Sequence, residues 1–238
     1  MLIEITEVSK EFKKQKVLTD INLAINENEI FGLIGPSGSG KTTLIRLILG
    51  AIKADHGNIR VMDCVVPDLK ILDRVGYMPQ NDALYNDLSG YDNLKFFGGM
   101  YHRKAPELQL RMQEVLKLVD LEKDSKKKVS NYSGGMRKRL SLAIALLHNP
   151  RILILDEPTV GIDPILRQKI WKEFDLLKRQ GKTIIVTTHV MDEAVKCDRL
   201  GLVYKGAVIA CDSVPALLDQ TGSHNIEELF LIKGGVQE

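Results

Sequence analysis

Gly35-Pro36-Ser37-Gly38-Ser39-Gly40-Lys41-Thr42-Thr43 fits the pattern Gly-x-x-x-x-Gly-Lys-Ser/Thr of a phosphate-binding loop. Its flanks fit as well. Apolar Ile30-Phe31-Gly32-Leu33-Ile34 reads as a buried strand running into the loop, and Thr42 to Leu49 as a helix leaving it, with Gly50 placed to end that helix. Glycines let the chain curl so that several backbone N–H groups face one anion, and the positive end of the following helix adds to the attraction. In such a loop Lys41 reaches the terminal phosphates of a nucleotide and the Thr42 hydroxyl can hold Mg²⁺.

The rest of the composition is that of an ordinary globular protein. The chain has 238 residues, 44% apolar, enough for one large domain with a substantial core. A net charge of +2 does not predict a nucleic-acid partner. No apolar run approaches the roughly 18 residues of a membrane span. Met1-Leu2-Ile3-Glu4 lacks the basic-then-apolar pattern of a signal peptide. Cys64, Cys197 and Cys211 show no metal spacing and read as reduced core thiols of a cytosolic protein.

Working outward from the loop, residues 1–34 read as strands. Leu2 to Thr6 is short and β-rich, and Ile21, Leu23 and Ile25 alternate with polar neighbours as in a half-buried strand. Phe12 stands in a polar stretch; it is either an unremarkable exposed ring or a face for a purine base. Asp55-His56-Gly57-Asn58 reads as a turn, and residues 73–80 as a short strand ending in a loop at Gln80, by itself an ordinary surface residue. From residue 86 to about 150 the pattern turns helical. Leu108, Met112, Val115, Leu116 and Val119 form one apolar stripe, and Met136, Leu140, Ala143, Ile144 and Leu147 another. Ser133-Gly134-Gly135 opens the second of these helices. Arg137, Lys138 and Arg139 sit in its first turns, where the dipole already places positive charge; they either attract an anion or reach into water.

Residues 151–155 form a continuous apolar run that ends in Asp156-Glu157, as fits a parallel strand covered on both faces. Ligands of open α/β sheets gather at the carboxyl ends of strands, so these carboxylates fall where a nucleotide on the loop would lie. Asp156 can hold Mg²⁺, and Glu157 can orient and polarise an attacking water. Asp163 caps a helix that Pro164 begins and Gly181 follows. Residues 183–188 form another buried strand, with His189 at its carboxyl end. Residues 200–210 read as a hairpin turning at Lys205-Gly206, and Ser213-Val214-Pro215 starts a final helical region.

In this order the pieces resemble the ATP-binding subunit of ABC transporters over nearly the whole chain. The carrying stations are Phe12, Gly35 to Thr43, Gln80, Tyr132 to Met136, Ile152 to Glu157, and His189. A Ser-Gly-Gly helix start upstream of Asp156-Glu157 is far more specific than the phosphate loop alone. The resemblance implies an α/β P-loop NTPase core with a mostly parallel sheet, an N-terminal antiparallel β subdomain and a helical subdomain. It implies one ABC ATPase domain over residues 1–238, with residues 1–85 and 151–238 as core and 86–150 as the helical part.

The same resemblance implies roles. Phe12 stacks on adenine. Gly35, Pro36, Ser37, Gly38, Ser39, Gly40, Lys41, Thr42 and Thr43 bind ATP. Thr42, Gln80 and Asp156 hold Mg²⁺, while Glu157, His189 and Gln80 serve catalysis. Ser133, Gly134 and Gly135 form the signature that covers ATP on an opposite subunit, and Gly161 and Asp163 belong to the D-loop. Tyr132 and Met136 replace the usual Leu and Gln of the signature, a variant of drug-resistance and ABC-2 type exporters; Met cannot supply the amide's hydrogen bonds. The expected partners are a second copy of the chain and a separate membrane permease, with no nucleic acid. The expected place is the cytoplasmic face of the membrane. Two rivals remain: an ABC ATPase coupled to nucleic acid or ribosomes rather than transport, and a module that only senses ATP.

Overall fold

The computed structural model describes residues 1–101 and 105–234. In chain order these form β1 (Ile3–Phe12), β2 (Gln15–Ile25), β3 (Ile30–Ile34), α1 (Lys41–Ile48), β4 (His56–Val61), β5 (Cys64–Val65), β6 (Val75–Met78), α2 (Gly90–Gly99) and α3 (Ala105–Leu118). There follow α4 (Gly134–Leu146), β7 (Ile152–Asp156), α5 (Pro164–Arg179), β8 (Thr183–Thr188), α6 (Met191–Ala194), β9 (Arg199–Tyr204), β10 (Ala207–Ser213), α7 (Val214–Thr221) and α8 (Ile226–Gly234). Two compact units emerge: Met1–Leu72 with Thr183–Glu238, and Asp73–Lys182.

In the first unit an antiparallel sheet runs in the order β2-β1-β4-β5. Ile3, Ile5 and Val8 of β1, Ile21, Leu23 and Ile25 of β2, and Ile59 and Val61 of β4 are buried. Their polar neighbours largely stay in solvent, the alternation of a sheet covered on one face. β3 instead lies between β8 and β9, parallel to both, and is buried at all five positions. β9 and β10 form the expected hairpin, turning at Lys205 (φ 47°) and Gly206 (φ 79°). Both turn residues take the positive φ that matches the strands' twist.

Two readings change here. β1 does not stop at Thr6 but runs to Phe12, with register irregularities that scramble its period-two pattern. Nor is Asp55-His56-Gly57-Asn58 a free turn: β4 begins at His56, which pairs with Ser9, while Asn58 pairs with Thr6. The slip between these pairs falls at Gly57 (φ 79°), where a Cβ would lie 2.4 Å from the carbonyl oxygens of both Thr6 and Glu7. Turn-type residues are used for a bulge. Of the three cysteines, all free, Cys197 is buried, whereas Cys64 and Cys211 are only half-buried. The last two lie on β5 and β10, and are not core thiols.

In the second unit β6 and β7 pair in parallel. Leu108, Met112, Val115, Leu116 and Val119 are buried, as their helical spacing predicts. Gly98 lets α2 approach α3, since a Cβ there would lie 2.3 Å from Leu108 Cδ1. Asn93 is fully buried and satisfied: its Oδ1 accepts from Tyr85 N (2.9 Å), and its Nδ2 donates to the carbonyls of Tyr85 (3.0 Å) and Ser89 (2.9 Å). α4 departs from the single apolar face read in it. Leu140 to Ala143 and Ala145 to Leu147 are buried, while Met136 and Ile144 are half-exposed. A helix enclosed on most sides carries little periodic signal.

Gly57→Ala is expected to destabilise the chain by about 1–3 kcal/mol, because the left-handed backbone and two carbonyl oxygens both oppose a Cβ. An unchanged urea midpoint would show that the bulge can relax.

Candidate functional site

The first unit supplies the loop. β3 delivers the chain to Gly35, whose missing Cβ would fall 2.1 Å from Val203 O, so the loop lies directly on β9. Ser39 O accepts from Gly206 N (3.1 Å), and Gly206 O accepts from Thr19 N (2.8 Å). The loop is thus hooked to the β9–β10 turn, and that turn to β2. Gly40 (φ 107°) ends the curl and stands before α1, which has no side-chain cap. The orphan N–H groups of a helix start need an acceptor, and no capping side chain provides one.

Two side chains inside the loop suit an anion. Lys41 is buried, and its Nζ donates to the carbonyls of Gly35 (2.6 Å) and Pro36 (3.0 Å), which folds the ammonium over its own loop. Ser39 Oγ is buried without a hydrogen-bond partner among the described residues. A donor-rich, uncapped loop with an orphaned hydroxyl fits a ligand that brings acceptor oxygens, as phosphate does. Thr42 and Thr43 are half-exposed on the first turn of α1.

In the same unit Phe12 ends β1 and faces Gln15 across the Lys13-Lys14 turn, with 43% of the residue exposed. Lys10 Nζ stands 5.3 Å from the ring centroid and 2.8 Å from Asp55 Oδ1. The Lys10 hydrogen bond, with another from Glu11 N, holds the Asp55 carboxyl below the usual carboxylate range. His189 is exposed just past β8. The bend that carries it is fixed by Thr188, whose hydroxyl donates to the buried Glu193 Oε2 (2.8 Å) and accepts from Val190 N (3.0 Å). Sequence reading missed this Thr188–Glu193 pair; Glu193 looks like any exposed acid in the first turn of a short helix.

The second unit supplies the carboxylates. The β6–β7 register places Met78 beside Leu155, so Gln80 and Glu157 leave the sheet together. Gln80 Nε2 donates to Glu157 Oε2 at 3.2 Å. Asp156 is buried at the end of β7. Glu157 takes φ 53°, a left-handed conformation uncommon for a residue with a Cβ. Lys138 Nζ holds that backbone by donating to Glu157 O at 3.0 Å.

Ser133 caps α4, its Oγ accepting from Met136 N at 3.2 Å. Ser133 and Gly134 are exposed, and a Cβ at Gly134 would meet nothing within 4 Å. A Cβ at Gly135 would lie 3.3 Å from Gly161 O, so these two glycines adjoin. Asp163 is occupied as the cap of α5, accepting from Leu166 N at 3.0 Å. Buried Tyr132 donates its hydroxyl to Asp124 O at 2.8 Å; burial pushes its phenol pKa up.

Groups of the chain itself hold the three cations on α4, with Lys138 on Glu157 O as described above. Arg137 grips Asp82 with two bonds (2.9 and 3.0 Å) and Asn86 with a third (2.7 Å). Arg139 donates to the carbonyls of Val119 (3.0 Å) and Asp120 (2.7 Å), just beyond α3. A cluster of rings stands in the same unit: Tyr85 and Phe96 meet edge-on at 4.8 Å, Phe96 and Phe97 at 5.4 Å, and Tyr85, Leu88, Phe96 and Met100 are exposed.

Together the parallel strands, the glycine loop leading into α1 and the carboxylates ending β7 define a nucleotide-binding α/β protein of the P-loop class. Residues 18–160 match the ABC transporter family, and the chain belongs to it. It is 37% identical over 240 residues to the linearmycin resistance ATP-binding protein LnrL of Bacillus subtilis (strain 168), covering 100% of this chain and 76% of that one. It is 38% identical to the Nod factor export ATP-binding protein I of Bradyrhizobium diazoefficiens, covering 97% and 76%. A dimeric ATP-binding cassette solved in a post-hydrolysis state with ADP and Pi superposes with a TM-score of 0.83 at 28% identity, over 89% of this chain and 98% of that one.

Ser39→Ala is expected to leave the ligand-free chain as stable or up to about 1 kcal/mol more stable, because it removes an unpaired buried hydroxyl. The same variant should lose part of the thermal stabilisation that pyrophosphate gives the unsubstituted chain. A fall in ligand-free stability would mean that the hydroxyl is already satisfied.

Proposed function

We propose that this chain is the ATP-hydrolysing subunit of an exporter, driving a separate membrane permease that carries drug-like or other amphipathic substrates. The observation that carries the reading is the meeting of Gln80 and Glu157 at the ends of two parallel strands. It puts a carboxylate and an amide side by side, with the carboxylate's backbone held by Lys138.

Lys41, with the backbone N–H groups from Gly35 to Thr43, binds the phosphates of ATP, and Phe12 offers its ring to adenine. Thr42, Asp156 and Gln80 are the residues that would hold Mg²⁺, which when bound supplies positive charge to the phosphoryl oxygens. Glu157 orients the attacking water and accepts its proton, while Gln80 keeps the carboxylate turned toward that water. His189 donates to the γ-phosphate. Phosphoryl transfer asks for positioning and charge stabilisation more than covalent participation, and these residues supply both.

Ser133, Gly134 and Gly135 serve a second copy of the chain. The exposure of Ser133 and Gly134 leaves a hydroxyl and a helix start available to ATP bound on that copy, with Gly161 and Asp163 at the boundary. In this reading the two copies pair head to tail; the dimeric state of the similar cassette supports the pairing of two copies. The exposed rings of Tyr85 and Phe96 with Leu88 and Met100 belong to the helical part, residues 86–150, and its entry loop; they form the docking surface for the permease. No helix among the described residues is long and apolar enough to cross a membrane. The transporter relatives support a place on the cytoplasmic face, attached through that permease. The names of the linearmycin-resistance and Nod-factor-export relatives support export.

Lys41→Ala should abolish steady-state ATP hydrolysis; undiminished turnover would defeat the loop assignment. Glu157→Gln should still bind ATP, turn over at least about 100-fold more slowly, and elute as a dimer in gel filtration with ATP. A variant that stays monomeric at high protein concentration would count against the shared site.

A further inference from the structure

Phe12 has no polar atom with which to fix its ring. It also stands at the tip of a two-stranded hairpin whose turn is made of two lysines, Lys13 (φ 47°) and Lys14 (φ 68°). Such turns favour Asn and Gly, because other residues are strained at positive φ. The turn chemistry therefore does little to hold the ring, and the anchor lies elsewhere.

The anchor is Lys10. Its side chain is only 13% exposed, although it ends in an ammonium group. The stem is packed against its neighbours while the ammonium meets its partner at the surface. Asp55 Oδ1 accepts from the ammonium at 2.8 Å, and the Phe12 ring centroid lies 5.3 Å from it. Asp55 is itself fixed at two points. Its Oδ2 accepts from Glu11 N (2.7 Å), and its own N–H donates to Ser9 O (3.0 Å). The segment leading into β4 thus clamps the end of β1, and the clamp ends in a cation over an aromatic face. Phe12 nonetheless stays exposed. A cation over a ring draws the ring's electron density toward itself and fixes its orientation.

We propose that Lys10, held by Asp55, is the positioning residue for the base platform of Phe12, so that the part of ATP affinity due to adenine depends on a charge acting through the ring. This rests on the reading of Phe12 as the adenine platform. Lys10 and Asp55 tune recognition of the base, while the phosphate loop binds phosphate independently of them.

Calorimetric titration of the full chain with ATP, and separately with tripolyphosphate, tests the inference. Lys10→Met, which keeps the stem and removes the charge, should weaken ATP binding roughly 3- to 10-fold and leave tripolyphosphate binding unchanged. Asp55→Asn should act in the same direction, and Lys10→Arg should restore most of the loss. In steady state Lys10→Met should raise KM for ATP with kcat unchanged. Equal losses for ATP and tripolyphosphate would overturn the inference, since they would reduce Lys10 to a general support of the fold. Phe12→Ala separates the two layers. If it weakens ATP binding while Lys10→Met does not, the Lys10 role alone falls. If Phe12→Ala also binds ATP normally, the platform reading falls with it.

Discussion

An α-helix that begins without a side-chain cap carries exposed donors at its positive end, and α1 adds the Lys41 ammonium to them. By itself that concentration of positive charge opposes folding. The loop that carries it is braced by backbone contacts. Gly35 lies on Val203 O, and Ser39 is hooked through Gly206 to Thr19. All of these contacts use backbone, so they fix the loop's shape and leave its donors in place. The sheet around β3, buried on every residue, gives the brace its rigidity. The Lys41 ammonium turns back onto the carbonyls of Gly35 and Pro36.

The carboxylate half meets the complementary problem. A negative group must stand at a strand end at a defined angle. Glu157 achieves this through its backbone. Its φ is positive, and Lys138 donates to its peptide oxygen. Gln80, a neutral donor, takes one carboxylate oxygen. A lysine in that place would form an ion pair and weaken the carboxylate as a proton acceptor.

Much of this was legible because it is local. The glycine loop, the apolar runs of β3, β7 and β8, the Asp163-Pro164 helix start and the Lys205-Gly206 turn all declare themselves within a few residues. What was not legible depends on pairing across the chain. The bulge at Gly57 uses turn residues and exists only because β1 runs beside β4. β1 hid its second half because its irregular register breaks the alternation. α4 hid its environment because it is enclosed on most sides. The positions of Phe12, Gln80 and Ser133 were visible as residue types in order, but not the partners that orient them: Lys10 for the ring, Glu157 for the amide, and Met136 N for the hydroxyl.

The cations of α4 show how a local conflict resolves at the next level. Three positive residues at the positive end of a helix oppose its dipole. Arg139 turns that conflict to use by bonding the carbonyls just past α3, where another helix presents its negative end. Arg137 is neutralised by Asp82, two residues beyond Gln80, and Lys138 bonds the backbone of Glu157. Each charge that would unsettle α4 alone thus ties its start to a different neighbour. The start of α4, with Ser133 as its cap, is thereby joined to the Asp82 segment, to the backbone of Glu157 and to the end of α3.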